Sequence, residues 1–305
     1  MPSHPTQLKF DTDFNPRTGD LVTIAPGIAR VTAPNAGPFT FTGTNSFLVG
    51  DDNLAVIDPG PDDDNHLNAL INAIAGRNVV AILLTHTHKD HTGLVRRLAA
   101  TTRAPIWFGG AHRLSRPKGV LEVNPLSASC DWKLMPDRVL LDGEILRFGR
   151  TALQVIATPG HCANHLAFGV VGEKFLLTGD HVMGWNSTLV ATPDGSMRDY
   201  FASLDRLTGT QFKTFLPAHG GAIENGGEFA STMKAHRMER NRQILEALSA
   251  RDQTIKDLLD NIYPQITGRV RFAARLTLMA HLEYLVQTNK ISSRITLAGR
   301  RFFLV

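Results

Sequence analysis

A chain of 305 residues, 43% hydrophobic and 20% charged, holds enough apolar side chain for one large core or a large domain plus a small one, which excludes overall disorder. No apolar run reaches the length that spans a bilayer, and the polar stretch Met1 to Asp20 lacks the basic start and apolar stretch of a signal peptide, so a cytoplasmic protein without a membrane partner is expected. The net charge of +4 is unevenly held: residues 234–305 carry 13 Lys/Arg against 6 Asp/Glu, a surplus of +7 over a body of −3. Cys130 and Cys162 are too few for a disulfide framework and lack the paired spacing of a thiolate zinc site, so free thiols are expected.

Through the first 230 residues, short apolar or β-branched runs alternate with turns and helical stretches, the pattern of an α/β domain. Strands are predicted at Ser46 to Val49, Leu54 to Ile57, Val80 to Leu84, Leu153 to Ile156, Phe175 to Leu177 and Thr214 to Leu216, with helices at Asn65 to Ala75 and Thr92 to Ala100. The chain then changes character, which divides it into residues 1–232 and a smaller unit, 233–305. A polar helix runs from about Thr232 to Ala250, and Thr254 with Asp257 has the spacing of a capping box. Ile255, Leu258, Leu259 and Ile262 follow at helical spacing, and a further helix is predicted from Val270 to Gln287. Ser293 to Val305 reads as a hairpin turning near Ala298-Gly299. Helix, helix, helix and hairpin together suggest a winged helix.

The chemistry concentrates at strand ends. After Leu83-Leu84-Thr85 comes His86-Thr87-His88-Lys89-Asp90-His91, four imidazole or carboxylate ligands within six residues. A tight loop there converges them in two sets, His86 with His88 and Asp90 with His91, and this donor mixture suits Zn, Mn or Fe. A polar surface loop is the bland alternative, but the same construction recurs three times: apolar strands lead to Thr-Pro-Gly-His161, Thr-Gly-Asp180 and Pro-Ala-His219. Loops gathered along one edge of a rigid sheet give the preorganised geometry a metal site requires.

These motifs resemble the metallo-β-lactamase superfamily, with its H-x-H-x-D-H signature followed by separate His, Asp and His ligands, over roughly residues 20 to 225. The resemblance implies a four-layer αββα fold with a small C-terminal helical unit. It also implies two divalent ions, one held by His86, His88 and His161 and the other by Asp90, His91 and His219, with Asp180 bridging them. Asp90 and Asp180 are then the catalytic carboxylates, Asp180 chiefly as ligand and Asp90 also orienting the nucleophile. The intact Asp/His set argues against a true β-lactamase. Asp58, after the strand Ala55-Val56-Ile57, matches an aspartate that supports the metal loop, although a turn residue would look the same. His165, His181 and Cys162 are expected behind the ligands or in the core, Trp185 and Asn186 at the pocket mouth, and no constellation surrounds His112, His236 or His281.

Two ions about 3.5 to 4 Å apart imply hydrolytic attack at a carbonyl or phosphorus. Asp180 and His219 are only 39 positions apart, which leaves no room for the large domain that RNA-processing members insert between them. The arrangement in which His236-Arg237 and Arg240-Asn241-Arg242-Gln243-Ile244-Leu245 open a basic winged-helix tail resembles the lactamase-β-like endoribonuclease group, which implies single-stranded RNA as a substrate, and the charge of Arg269, Arg271, Arg275, Lys290, Arg294, Arg300 and Arg301 suits contact with its phosphates. The alternatives are a carboxylic ester, thioester (glyoxalase II-like) or lactone hydrolase acting on a small molecule, and a non-catalytic nucleic-acid-binding protein. Winged helices also serve as dimerisation modules, which makes a homodimer one further expectation.

Overall fold

A computed structural model describes residues 8–120, 122–296 and 299–305. Two β-sheets lie face to face. The first has seven strands in chain order: β1 (Val22–Ala25), β2 (Ile28–Thr32), β3 (Asn45–Gly50), β4 (Asn53–Ile57), β5 (Asn78–Leu83), β6 (Ile106–Phe108) and β7 (Arg138–Val139). Pairing is antiparallel as far as β4 and parallel beyond it. The second sheet runs in the order β12 (Thr214–Pro217), β11 (Phe175–Gly179), β10 (Leu166–Val170), β9 (Thr151–Ala157) and β8 (Ile145–Phe148), with only β11 and β12 parallel.

Burial explains why the central strands are nearly continuous apolar runs. Phe47, Ala55 and Leu83 of the first sheet meet Val155, Phe168 and Leu177 of the second in one core. The opposite face of the first sheet, through Leu48, Val56 and Ile82, packs on α1 (Asp64–Ile74) and α3 (Val95–Thr102). The opposite face of the second, through Ile156, Ala167 and Leu176, packs on α4 (Met197–Thr208) and α5 (Gly226–Ala250). Both faces of each sheet are therefore covered, and the layers read αββα.

The six predicted strands and the helices before residue 80 and after residue 250 are present, with small shifts at their ends. The helix expected at Thr92 to Ala100 is broken: α2 (Lys89–Thr92) ends at Gly93, and α3 starts afresh at Val95. Half of the histidine-rich motif thus lies in a helical turn rather than in a loop. Helix α4 was not predicted, although Ser196 caps it by accepting from the Asp199 N–H and it buries Met197, Tyr200, Phe201, Leu204 and Leu207.

Helix α5 begins six residues before the predicted start. Its first half buries Ala230 and Met233 against the second sheet, and its second half buries Ile244 and Leu248 in a separate core. That core is completed by α6 (Ile255–Ile262), α7 (Gly268–Gln287) and a three-stranded sheet, β13 (Gln253–Thr254), β15 (Gly299–Leu304) and β14 (Ile291–Thr296). The Thr254/Asp257 capping box forms at α6. The hairpin pairs Thr296 with Gly299, and Ala298 of its expected turn lies outside the described residues. Helix α7 is tied back to the long β6–β7 connection by Arg116, whose guanidinium bridges Glu283 and Glu122 at 2.7 Å each. Among the described residues, no helix is long and apolar enough to cross a membrane.

Phe168 is fully buried between the two sheets. Phe168→Ala is expected to cost about 3–5 kcal/mol through lost transfer energy and the cavity left behind, read by chemical denaturation.

Candidate metal centre

All seven predicted ligand side chains meet at one edge of the paired sheets. His86 follows β5, Asp90 and His91 lie in the single turn of α2, Asp180 follows β11 and His219 follows β12. The backbone must turn sharply where these strands end. Gly179 does so at φ +52°, where a Cβ would stand 2.7 Å from His165 Nε2 and 2.8 Å from the Thr85 Cβ, so only glycine fits directly before Asp180. Asn45 on β3 holds the His219 loop by donating from Nδ2 to the carbonyls of Pro217 (3.0 Å) and Gly220 (2.9 Å).

Hydrogen bonds on the far side of each ring decide which nitrogen faces the centre. An ionised carboxylate or a carbonyl only accepts, so the ring nitrogen beside it carries the hydrogen. His88 donates from Nε2 to Asp194 (3.2 Å), His91 from Nδ1 to Asp58 (3.0 Å), His161 from Nδ1 to the Leu189 carbonyl (2.6 Å), and His219 from Nδ1 to the Gly43 carbonyl (3.2 Å). The Thr85 hydroxyl gives its hydrogen to Asp58 at 2.6 Å and therefore accepts from His86 Nδ1 at 3.0 Å. Asp58 thus orients His91 directly and His86 through Thr85.

The lone pairs left over converge in two groups. His88 Nδ1 lies 3.0 Å from His86 Nε2 and 2.9 Å from His161 Nε2. His219 Nε2 lies 3.3 Å from both Asp90 Oδ2 and Asp180 Oδ1, and His91 Nε2 lies 3.4 Å and 3.5 Å from the same two oxygens. The other Asp180 oxygen points to the first group, 3.6 Å from His161 Nε2. Asp180 therefore stands between the groups with one oxygen toward each.

These contacts fit cations. Three imidazole lone pairs aimed at one point repel unless a positive charge lies between them, and ligands about 2.0–2.1 Å from a tetrahedral ion stand roughly 3.3 Å from one another. Asp180 Oδ1, His91 Nε2 and His219 Nε2 are buried without a hydrogen-bond partner, which the same reading explains. Electrostatics separates the groups. Burial, helped by neighbouring imidazoles, keeps His86 well below the usual histidine range and His161 at about 4. Burial lowers His91 and His219 too, but the facing carboxylates outweigh it, raising His91 well above its usual value and His219 to about 9. The carboxylate-rich group therefore attracts positive charge strongly.

Sequence reasoning missed Asp194. Fully buried 106 positions from His88, it accepts from His88 with one oxygen and from His112 Nε2 with the other at 2.8 Å. His112, expected to stand alone, thus belongs to the scaffold of the site, its Nδ1 also 2.8 Å from the Thr87 hydroxyl. Asp58 meets both descriptions offered for it, holding the metal loop while occupying a turn at φ +51°. His165 lies behind the ligands, accepting from the Asp180 N–H at 3.2 Å, and His181 packs against Tyr200 in the core. Asp58→Ala is expected to weaken divalent-metal affinity about 10–100-fold, and Asp194→Ala to do the same at the His88 side, in competition titrations with a chelator. Unchanged affinity in both variants would sink the orienting role.

The family model for the metallo-beta-lactamase superfamily matches residues 39–219, which include every residue of the two groups. The chain is 27% identical to an atrochrysone carboxyl ACP thioesterase of Claviceps purpurea, over 98% of this chain and 92% of the relative. It is also 27% identical to a beta-lactamase-like protein 2 homolog of Caenorhabditis elegans, over 82% and 81%. A beta-lactamase domain protein from Burkholderia ambifaria superposes with a TM-score of 0.79 at 20% identity, covering 96% of both chains, and shares the fold. A metallo-beta-lactamase family protein from Thermus thermophilus gives 0.74 at 26% identity, covering 93% of this chain and all of that one. Family model, fold and strand-end donor groups agree, and the chain belongs to the metallo-beta-lactamase superfamily, whose hydrolase character it shares.

Proposed function

We propose that the protein hydrolyses a carboxylic thioester. The observation that carries this reading is the apolar cleft onto which the two donor groups open. His88, Asp90, His161 and Asp180 line one side of a cavity of about 380 Å³, and Phe39, Leu126, Met183, Leu189, Phe272 and Leu276 line much of the rest. Such a wall suits the hydrocarbon of an acyl group and offers little to a polyanion. The thioesterase-named relatives support the reading because their similarity runs through the tail, which contributes Phe272 and Leu276.

In this reading His86, His88 and His161 would hold one divalent ion and Asp90, His91 and His219 the other, with Asp180 offering an oxygen to each group. When bound, such a pair lowers the pKa of water toward neutrality and polarises the scissile carbonyl. Water adds to the carbonyl carbon, the C–S bond breaks, and a carboxylate and a thiol leave. Asp90, its side chain 29% exposed toward the cleft, orients the attacking water. The Asp/His donor set accepts zinc, manganese or iron, and supply decides among them.

Cleavage of single-stranded RNA is the second reading. It is favoured by the tail's surplus of positive charge and by its winged-helix-like order of helix, strand, two helices and hairpin. It is weakened because Arg271 is paired with Asp260 and Arg294 with Asp252. A panel on metal-quantified protein, with an acyl thioester, ester, lactone, β-lactam, phosphodiester and RNA, is expected to give highest kcat/KM on the thioester. Asp180→Ala is expected to reduce that activity at least about 100-fold, beyond the loss an orienting residue gives. Turnover of RNA but of no acyl substrate would replace this proposal with the second.

A further inference from the structure

A second cavity, of about 280 Å³, adjoins the metal cleft and shares Phe39, Met183 and Leu189 with it. Its charged lining has one sign. His236, Arg237 and Arg240 reach it from α5 and Arg269 from the start of α7, and among the described residues no Asp or Glu lines it. Arg237 is only 4% exposed: it donates to the Thr188 carbonyl and lies over the Tyr200 ring at 5.7 Å, its Nε has no partner, and no carboxylate pairs with it among the described residues. Arg240 stacks over the Tyr263 ring at 4.2 Å and donates to Gln243 at 2.6 Å. Three other arginines of the tail are neutralised in place, Arg242 by Glu239 and Glu246, Arg271 by Asp260 and Arg294 by Asp252. A buried guanidinium without a counter-charge is costly, and clustering two more beside it raises that cost unless an anion completes the group. Burial together with Arg237 and Arg240 also pushes His236 down, so that ring adds no positive charge.

We propose that this cavity is the subsite for an anionic group, carboxylate or phosphate, at the far end of the substrate, whose apolar portion occupies the cleft beside the metal centre. The inference rests on the acyl-hydrolase reading for the position of the reacting carbonyl. Guanidinium groups bind carboxylate and phosphate equally well in geometry, so two sources fit: an acidic group on the acyl part, or the phosphate of a pantetheine-type thiol.

The test is calorimetric binding to metal-loaded protein of two matched pairs: decanedioate against decanoate, and S-methyl 4′-phosphopantetheine against S-methyl pantetheine. In one pair the member with the additional anionic group, decanedioate or the phosphopantetheine, is expected to bind at least about tenfold more tightly than its partner, and the pair that shows the preference names the source. Arg240→Gln with Arg269→Gln is expected to erase that preference while hydrolysis of a small neutral thioester stays within about twofold. Arg269→Glu, at an exposed position, is expected to do the same alone and keeps the test open if the double variant does not fold. No preference in either pair, or a preference that survives both substitutions, overturns the subsite. An arginine-dependent preference in a protein that leaves every thioester intact upholds the subsite and overturns the thioesterase reading instead.

Discussion

The position of Asp180 between two groups of lone pairs is the constraint around which the rest of the chain is arranged. A buried carboxylate needs positive charge near its oxygens, and here one oxygen faces His91 and His219, both raised above the usual histidine range, while the other faces the neutral His161, where a bound cation would supply that charge. Those histidines come from three different strand ends, so two sheets must stay in register for the charges to balance. The apolar core between the sheets provides that rigidity, and the Asn45 clamp and the Asp58–Thr85 pair transmit it to the loops.

Local order explains what could be read in advance. The seven candidate ligands were legible because each follows a short apolar strand, and four lie within a single run of six residues. Burial of central strands on both faces makes their apolar character continuous, so β3, β4, β5, β9, β11 and β12 stood out. Strand β10 carries Gly169 against the Phe212 ring, and β8 and β1 are short and partly exposed, so each offered a weaker pattern. Asp194 follows Thr192-Pro193 and precedes Gly195, a run that reads as an ordinary turn; only the fold brings it beneath His88 and His112. Long-range packing also hid the cleft wall, since Phe272 is 47% exposed and looks like a surface residue until α7 is seen beside the metal groups.

The tail changes meaning once it is placed. Its surplus of positive charge pointed to phosphates of a nucleic acid, yet Arg271 and Arg294 are paired within the tail and Arg116 of the main body fastens α7 through Glu283. Arg237, Arg240 and Arg269, which have no such partner among the described residues, gather at a cavity that adjoins the cleft beside the donor groups. Part of the tail's charge thus lies beside the donor groups, and through Phe272 and Leu276 the tail forms one wall of the cleft onto which they open.

The central claim is that two cations occupy the two donor groups with Asp180 between them. Anomalous diffraction from crystals of the protein grown with zinc or manganese tests it directly. Two peaks are predicted, one among His86, His88 and His161 and one among Asp90, His91 and His219, with an Asp180 oxygen toward each. A single peak, or peaks away from these side chains, would contradict the account.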